Sequence, residues 1–238
     1  MPMPLTIQNR LRALSITEAM PAWRILQNAW LLPPTPNQDT LFGDTVEQAL
    51  KKLMKSFFEY GRQHWTWSQT SGPGAADGGL VKGVVSNCAC ASFNLNFKWL
   101  AEQCLGIQGI TPNSYNRQFL TMPGRNCIDS KWAGNVRTAT RAFEAVRCFK
   151  FSQHHWVSRG GVNYDVCYND TFASTAEIIW TGLLPADPSV VKKSKLRPDQ
   201  VYKLEKPLPE GDHLVMLQQY GPNGWPTWQI VDQSQVGK

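Results

Sequence analysis

Three residue types, in a fixed order along the chain, could carry chemistry. Cys90 lies in the segment Ser86–Phe93, and two later segments contain His154 and Asp165. A thiol, an imidazole and a carboxylate in this order are the components of a nucleophilic thiol enzyme, because the imidazole can take the thiol proton and the carboxylate can orient the imidazole. The sequence therefore predicts a cysteine-dependent enzyme.

The predicted position of Cys90 suits a nucleophile. An apolar pattern indicates a helix that begins near Cys90 and stops at Gly106, a residue typical of helix C-termini. The first backbone N–H groups of a helix have no helical partner, and they favour a nearby thiolate. The same groups could donate to the oxyanion that forms during acyl transfer.

The spacing of His154 and Asp165 suits a pair of neighbouring strands. The two residues are eleven positions apart, which allows a strand, a short turn at Arg159-Gly160-Gly161 and a returning strand. We therefore expect the two side chains to lie side by side across a hairpin, where the carboxylate would hold the imidazole in one tautomer.

Two neighbouring residues compete for these positions. Cys88 lies two residues before Cys90, and His155 directly follows His154. Strand alternation puts the two histidines on opposite faces, so that only one of them can face the cleft. At this point either thiol and either imidazole remains a candidate.

The elements that must position these residues follow from apolar spacing and turn residues. Helices are predicted over residues 5–30 with an interruption near Pro21, over 44–65 with Asp44 as N-cap, over 90–105, and over 138–146. Strands are predicted over residues 148–151, 156–157, 162–168, 213–219 and 227–231, and residues 173–184 are predicted to be helical or irregular.

Helices first and a sheet later predict an α+β fold. Residues 1–40 are predicted to form an N-terminal helical segment that ends in the Pro-rich linker 32–37, and residues 41–238 to form the catalytic domain. The N-terminal segment is open to three interpretations: a cap, a recruitment segment or an inhibitory piece. The Gly-rich loop 68–83 is either a lid or a plain connector.

The chain resembles the transglutaminase-like branch of the papain-like cysteine enzymes over about residues 85–170. In that superfamily a Cys opens a buried helix that ends at Gly-Ile, and an H-x-W/F-V motif and an aromatic-Asp pair follow. The matching segments here are Cys90-Ala91-Ser92-Phe93, Gly106-Ile107, His154-His155-Trp156-Val157 and Tyr164-Asp165. The helix between the thiol and the glycine is about one residue longer than usual.

The resemblance implies a buried Cys-bearing helix packed on a small antiparallel sheet, with extra N-terminal helices in this chain. It also implies roles: Cys90 as the nucleophile, His154 as general base and then acid, and Asp165 as the residue that orients the imidazole. The H-x-W spacing favours His154 over His155. Candidates for oxyanion or substrate binding are Asn87, Trp67 and Trp156.

The triad is compatible with three reactions on amide bonds, and the sequence does not choose among them. A peptidase or amidase passes the acyl group to water, a glutamine deamidase does so from a side-chain amide, and a transglutaminase passes it to an amine. All three act on a protein or peptide substrate, and none requires a cofactor or metal.

Two rival interpretations start from the same residues. A zinc site could use thiols and imidazoles drawn from Cys88, Cys90, His154, His155 and Cys167, although C-x-C is a poor spacing for chelation. A nucleic-acid-binding module could use the net charge of +6 and the ten Trp residues. The basic residues are scattered and match no recognisable module, so we expect no nucleic-acid partner.

The length and composition are those of a globular chain. With 238 residues and 42% hydrophobic residues it can bury a substantial core. We find no signal-peptide pattern and no apolar stretch that could cross a membrane. The expectation is a protein made in the cytoplasm, with export by a route that needs no classical signal as an option. As an exported effector or toxin it would have an immunity or delivery partner.

Overall fold

The computed structural model describes residues 3–30, 44–68, 75–115, 119–121, 128, 150–151, 153–180, 183–185, 213–217 and 228–232. Helices precede most of the strands in the described chain, and the α+β prediction is confirmed. The predicted linker 32–37 and helix 138–146 lie outside the described residues, as does Cys148.

Two compact units divide the chain. The first comprises Met1–Ser114, Asn126–Ser130 and His154–Ala173, and the second comprises Tyr115–Arg125, Lys131–Gln153 and Ser174–Lys238. The expected boundary near residue 40 falls outside the described residues. Both N-terminal helices belong to the same unit as the Cys90 helix.

The N-terminal segment forms two helices, α1 (Leu5–Ala13) and α2 (Pro21–Ala29). Pro21 interrupts the pattern because it begins α2, where the missing N–H costs nothing. Both helices bury an apolar face: Ile7 and Leu11 in α1, Ile25 and Leu26 in α2. Polar contacts secure α2 as well, since the Ser56 hydroxyl donates to the Ile25 carbonyl at 2.6 Å.

Helix α3 spans Val46–His64, and its N-cap is Thr45, so the prediction of Asp44 was wrong. The Thr45 hydroxyl accepts from the backbone N–H of Gln48, and the Gln48 side chain accepts from the Thr45 N–H. This reciprocal pair satisfies two amides at the start of the helix. Asp44, one residue before the cap, instead forms an ion pair with Lys52, with 2.7 Å between its Oδ2 and the Lys52 Nζ.

Helix α4 spans Cys90–Trp99 and continues as a π-helical turn, Leu100–Cys104. A π turn accommodates one residue more than an α turn, which suits the extra residue noted in the sequence. The helix ends at Gly106, whose φ of +75° is the left-handed conformation that glycine adopts readily. A Cβ at that position would lie 2.6 Å from the Arg10 guanidinium of α1.

The segment Ala75–Gly79 is an irregular turn that packs on α4. The buried Asn96 side chain holds it there. Its Oδ1 accepts from the backbone N–H groups of Leu80 and Val81 at 3.1 and 3.3 Å, and its Nδ2 donates to the Ala75 carbonyl. The described part of the loop predicted over 68–83 is therefore packed on α4 from Ala75 onward, and residues 69–74 lie outside the described residues.

The described residues of the first unit form two sheets, the second of which extends by one residue, Tyr115, beyond it. Strands β1 (Thr66–Trp67) and β2 (Asn87–Cys88) form a short parallel pair just before α4. The strands of the second sheet are β3 (Thr111–Tyr115), β6 (His154–Arg159), β7 (Val162–Asp165) and β8 (Asp170–Phe172). Their order is β3-β6-β7-β8, and α4 packs against β6.

The predicted hairpin at Arg159-Gly160-Gly161 is confirmed. Gly160 and Gly161 both have positive φ, as a two-residue turn between antiparallel strands requires. Strand β7 ends at Asp165, three residues earlier than predicted. There the Asp165 side chain accepts from the Cys167 N–H at 3.1 Å, and this local bond starts the turn into β8.

The second unit contains two small antiparallel sheets among its described residues. One has the order β5-β4-β9 and the other β10-β11-β12. The predicted strands at 213–219 and 227–231 are confirmed with shifted ends. The bounds are β4 (Phe119–Thr121), β5 (Lys150–Phe151), β9 (Ile179–Trp180), β10 (Leu183–Pro185), β11 (His213–Leu217) and β12 (Trp228–Asp232).

The described residues of the region predicted as helical or irregular over 173–184 form a short 3₁₀ turn, Thr175–Glu177, followed by strands. Its helical signal comes from Ser174 and Glu177, which form a reciprocal cap.

None of the helices in the described ranges has the length and apolar character needed to span a bilayer.

Candidate active site

Cys90 is the first residue of α4. Ala89 before it is extended (φ −86°, ψ 172°), and the first helical bond runs from the Phe93 N–H to the Ala89 carbonyl at 3.1 Å. The backbone N–H groups of residues 90–92 therefore lie ahead of the helical bonding pattern, on the side of the thiol. Cys90 is 4% exposed, whereas Cys88 is fully buried. A reagent could therefore approach Cys90 more readily than Cys88.

His154 and Asp165 form a fully buried pair. The ring Nε2 of His154 lies 2.7 Å from Oδ2 of Asp165, and both residues are 0% exposed. An ionised carboxylate only accepts hydrogen bonds, so the ring N–H donates. The β6–β7 register pairs Val157 with Tyr164, which makes His154 and Asp165 diagonal neighbours and not directly opposite ones.

The carboxylate of Asp165 is oriented by a second bond. Its other oxygen, Oδ1, accepts from the Cys167 N–H at 3.1 Å, within the turn that follows β7. One oxygen is thus held by the backbone while the other faces the imidazole. The backbone bond therefore orients the plane of the carboxylate independently of the imidazole.

The thiol of Cys90 is close enough to the His154 ring to affect its protonation. Burial alone would lower the pKa of His154, but the charge and hydrogen bond of Asp165, with a smaller contribution from Cys90, raise this pKa to about 9. Because Nε2 is engaged by the carboxylate, Nδ1 is the ring nitrogen that remains for a thiol. The raised pKa favours the imidazolium form of the His154 ring.

The competing residues have different surroundings. Burial, followed by the neighbouring Cys90, raises the pKa of Cys88 far above its ordinary value. His155 is half-buried, and burial followed by the charge of His154 lowers its pKa. The histidine whose ring meets both a carboxylate and a thiol is His154.

The three other predicted site residues lie in different places. Trp156 is next to the pair, with its ring centre 6.3 Å from that of His154, but its indole N–H donates to Asn163 Oδ1 at 3.0 Å. Trp67 lies in β1 opposite Cys88, with its ring centre 6.3 Å from that of Phe93. Asn87 is exposed in β2. The indole of Trp156 is therefore directed at Asn163.

Sequence reasoning missed two residues that border this site. The Tyr168 ring meets the His154 ring edge-on at 5.7 Å. Asn94, one helical turn after Cys90, is 1% exposed and bonds three segments that carry the thiol, the imidazole and the carboxylate. The signal for Asn94 was a polar amide on an apolar helix, four residues after the candidate thiol.

The zinc interpretation required several thiols and imidazoles to converge. Among the residues that the structure describes, no three His, Cys, Asp or Glu side chains form a group suited to holding a metal ion. The Cys88 and Cys90 side chains belong to a strand end and a helix start, respectively.

The raised pKa of His154 has a consequence for stability. A group whose folded pKa exceeds its unfolded value of ~6.5 contributes stability that is complete below pH ~6.5 and lost as the pH rises through the folded value of about 9. We expect the free energy of unfolding of Cys90→Ala, measured by urea denaturation, to fall over this window, because in that variant no thiolate at residue 90 offsets the extra proton held by His154.

The matched protein is the double variant Cys90→Ala/His154→Gln, in which this dependence should be flat between pH 6.5 and 8.5. Above that range the buried thiols of Cys88 and Cys104, whose pKa values are also raised, act in the same direction in both proteins. The same slope in both proteins below pH 8.5 would contradict the assignment to His154.

Comparisons of the chain with protein-family models, with curated proteins and with solved structures found no match.

Proposed function

We propose that this protein is a cysteine-nucleophile enzyme with a papain-like or transglutaminase-like core, acting on amide bonds of a protein or peptide through a thioester. The observation that carries the proposal is the buried 2.7 Å bond between His154 and Asp165, together with the position of Cys90 at a helix start, where its thiol helps to raise the pKa of His154. A thiol beside an imidazole that a carboxylate orients can transfer a proton and stabilise an ion pair.

In the first half of the reaction, Cys90 attacks as the thiolate while His154 carries the proton. The sulfur bonds to the amide carbon, and the negative charge on the carbonyl oxygen is stabilised by the N–H groups at the start of α4. His154 then donates its proton to the leaving nitrogen, and the C–N bond breaks. The products are an amine, or ammonia, and a thioester on Cys90.

The second half returns the enzyme to its starting state. Water or an amine attacks the thioester carbon while His154 accepts the proton from the attacking group. The C–S bond breaks, and the sulfur leaves as a thiolate beside the imidazolium. Asp165 remains ionised throughout and holds the ring so that the same nitrogen serves both halves.

The experiment that tests the proposal is brief iodoacetamide treatment at pH 6, followed by intact-mass analysis and peptide mapping. At this pH an ordinary thiol is almost entirely protonated and reacts slowly, whereas a thiolate paired with an imidazolium reacts fast. We expect a single fast modification at Cys90 that is lost in His154→Ala.

His155→Ala is the matched control, because it removes a neighbouring imidazole that does not bond the carboxylate. It should retain the fast modification. Fast modification of Cys88 in the wild-type protein, or an equal loss in both histidine variants, would contradict the proposal.

A further inference from the structure

Asn94 is a buried amide at the point where three segments of the candidate site meet. It lies on α4 one turn after Cys90 and is 1% exposed. A buried amide requires partners for its two N–H groups and its oxygen, because an unsatisfied polar group costs stability. Each of its partners belongs to a segment that carries a member of the proposed triad.

The N–H groups of Asn94 bond two carbonyls. Nδ2 donates to the carbonyl of Cys90 at 2.9 Å and to the carbonyl of His155 at 2.7 Å. The first bond secures the backbone of the proposed nucleophile. The second secures His155, which directly follows His154 and lies sixty-one positions after Asn94 in the chain.

The oxygen of Asn94 bonds the third segment. Oδ1 accepts from the backbone N–H of Val166 at 3.4 Å, directly after Asp165. Nδ2 is also 3.8 Å from the sulfur of Cys167, whose own N–H holds the Asp165 carboxylate. A single side chain therefore connects the backbone at residues 90, 155 and 166.

We propose that Asn94 is a positioning residue that sets the distances between the thiol of Cys90, the imidazole of His154 and the carboxylate of Asp165. This role rests on the proposed function. Asn94 acts on the three reacting groups through the backbone bonds just described.

The chemistry requires an amide of this length. An aspartate would present only acceptors to two carbonyl oxygens, and a leucine would remove all of the bonds that the amide makes. A serine would retain the bond to the carbonyl four residues earlier in the helix, which serine hydroxyls make readily. It would be too short to reach the carbonyl of His155 or the N–H of Val166.

Asn96 is a matched control on the same helix. It is also buried, and it likewise donates to the carbonyl four residues earlier, that of Ser92, at 2.8 Å. Its remaining bonds hold the segment at Ala75, Leu80 and Val81 instead of the triad strands. Asn94→Ser and Asn96→Ser therefore keep similar bonds within α4 but remove connections to different segments.

The experiment compares Asn94→Ser with Asn96→Ser in the full chain by two readouts. The first is the titration of the His154 ring by NMR, and the second is the pH profile of iodoacetamide modification of Cys90. The groups that face the His154 ring or flank it are Asp165, Cys90, His155 and Tyr168. All four residues remain in both variants. A change in the His154 titration would therefore reflect a change in their positions and not the loss of one of these groups.

We expect the pKa of His154 in Asn94→Ser to fall by about one unit. Looser contact with Asp165 weakens the effect that raises this pKa, whereas burial still lowers it. Modification at pH 6 should slow by about tenfold. In Asn96→Ser both readouts should match the wild type, although the folded state is less stable. If Asn94→Ser does not fold, Asn94→Gln makes the comparison, since it keeps the amide but displaces it by one methylene.

An identical His154 titration in the two variants would overturn the positioning role. Failure of the proposed function has a different signature, namely slow, His154-independent modification of Cys90 in the wild-type protein. The ring titration still reports the effect of Asn94 in that case, because it requires no reaction at the thiol.

Discussion

Cys90→Ala is expected to abolish the burst of p-nitrophenol released from p-nitrophenyl acetate, with the steady-state rate reduced by on the order of 10³-fold or more. An activated ester acylates a reactive thiol without depending on the natural substrate. The burst amplitude counts thiols that form the thioester, and the following slow phase reports hydrolysis of that thioester. The mass of the acylated protein should rise by one acetyl group located on Cys90.

Cys88→Ala is the control for this experiment, because Cys88 is only two residues away, is also a thiol, and is fully buried in β2. It should retain the burst, with stability reduced only by the loss of a buried sulfur. A burst that survives in Cys90→Ala and disappears in Cys88→Ala would transfer the nucleophilic role to Cys88. Loss in both variants to the same extent would indicate a packing effect.

Asp165→Asn should reduce the acylation rate by roughly 10²- to 10⁴-fold, the range in which carboxylates that orient an imidazole contribute. An amide removes the charge that raises the pKa of His154, while the burial that lowers it remains. Its NH₂ group can also turn toward Nε2, which would move the ring proton to Nδ1, next to Cys90. We therefore expect an NMR titration of His154 that has moved well below about 9.

Asp170→Asn is the matched control because Asp170 pairs directly with Asp165 across the β7–β8 hairpin but is exposed. It should leave both the acylation rate and the His154 titration unchanged. An equal loss of rate in the two variants would indicate that the hairpin as a whole, and not the carboxylate of Asp165, is responsible.

The spacing of polar residues predicted the contacts of the candidate site better than it predicted the ends of the elements. A separation of eleven positions between His154 and Asp165 leaves room for little besides a hairpin, and the two glycines in the turn make that hairpin favourable. Spacing does not determine strand register. It therefore predicted that the side chains of His154 and Asp165 are neighbours, but not that they lie diagonally across the two strands.

The wrong N-cap of α3 has a simple physical cause. Asp44 and Thr45 are adjacent and both cap helices well, so composition alone does not separate them. The choice is made by Gln48, which is three residues after Thr45 and completes the reciprocal pair. The early end of β7 is similar, because the apolar run continues to Tyr168 while the Asp165 side chain already starts a turn.

The sequence did not predict the burial of Asn94 and Asn96, and the reason is a different one. An asparagine inside a helix ordinarily indicates a solvent-facing position, because its side chain competes with the helix for hydrogen bonds. Their burial depends on carbonyl and N–H groups supplied by distant segments: His155 and Val166 for one, Leu80 and Val81 for the other. Only tertiary structure reveals those partners.

The docking of α1 and α2 bears on what would follow if the first thirty residues were cut from the folded protein. The Ala22 N–H donates to the carbonyl of Val81 at 2.8 Å, and Arg10 covers the glycine at which α4 and its π-helical turn end. Helix α2 packs on α3, and α1 packs on the π-helical turn Leu100–Cys104. Removal of these two helices would therefore expose apolar surface of both elements, and we expect the shortened chain to lose stability.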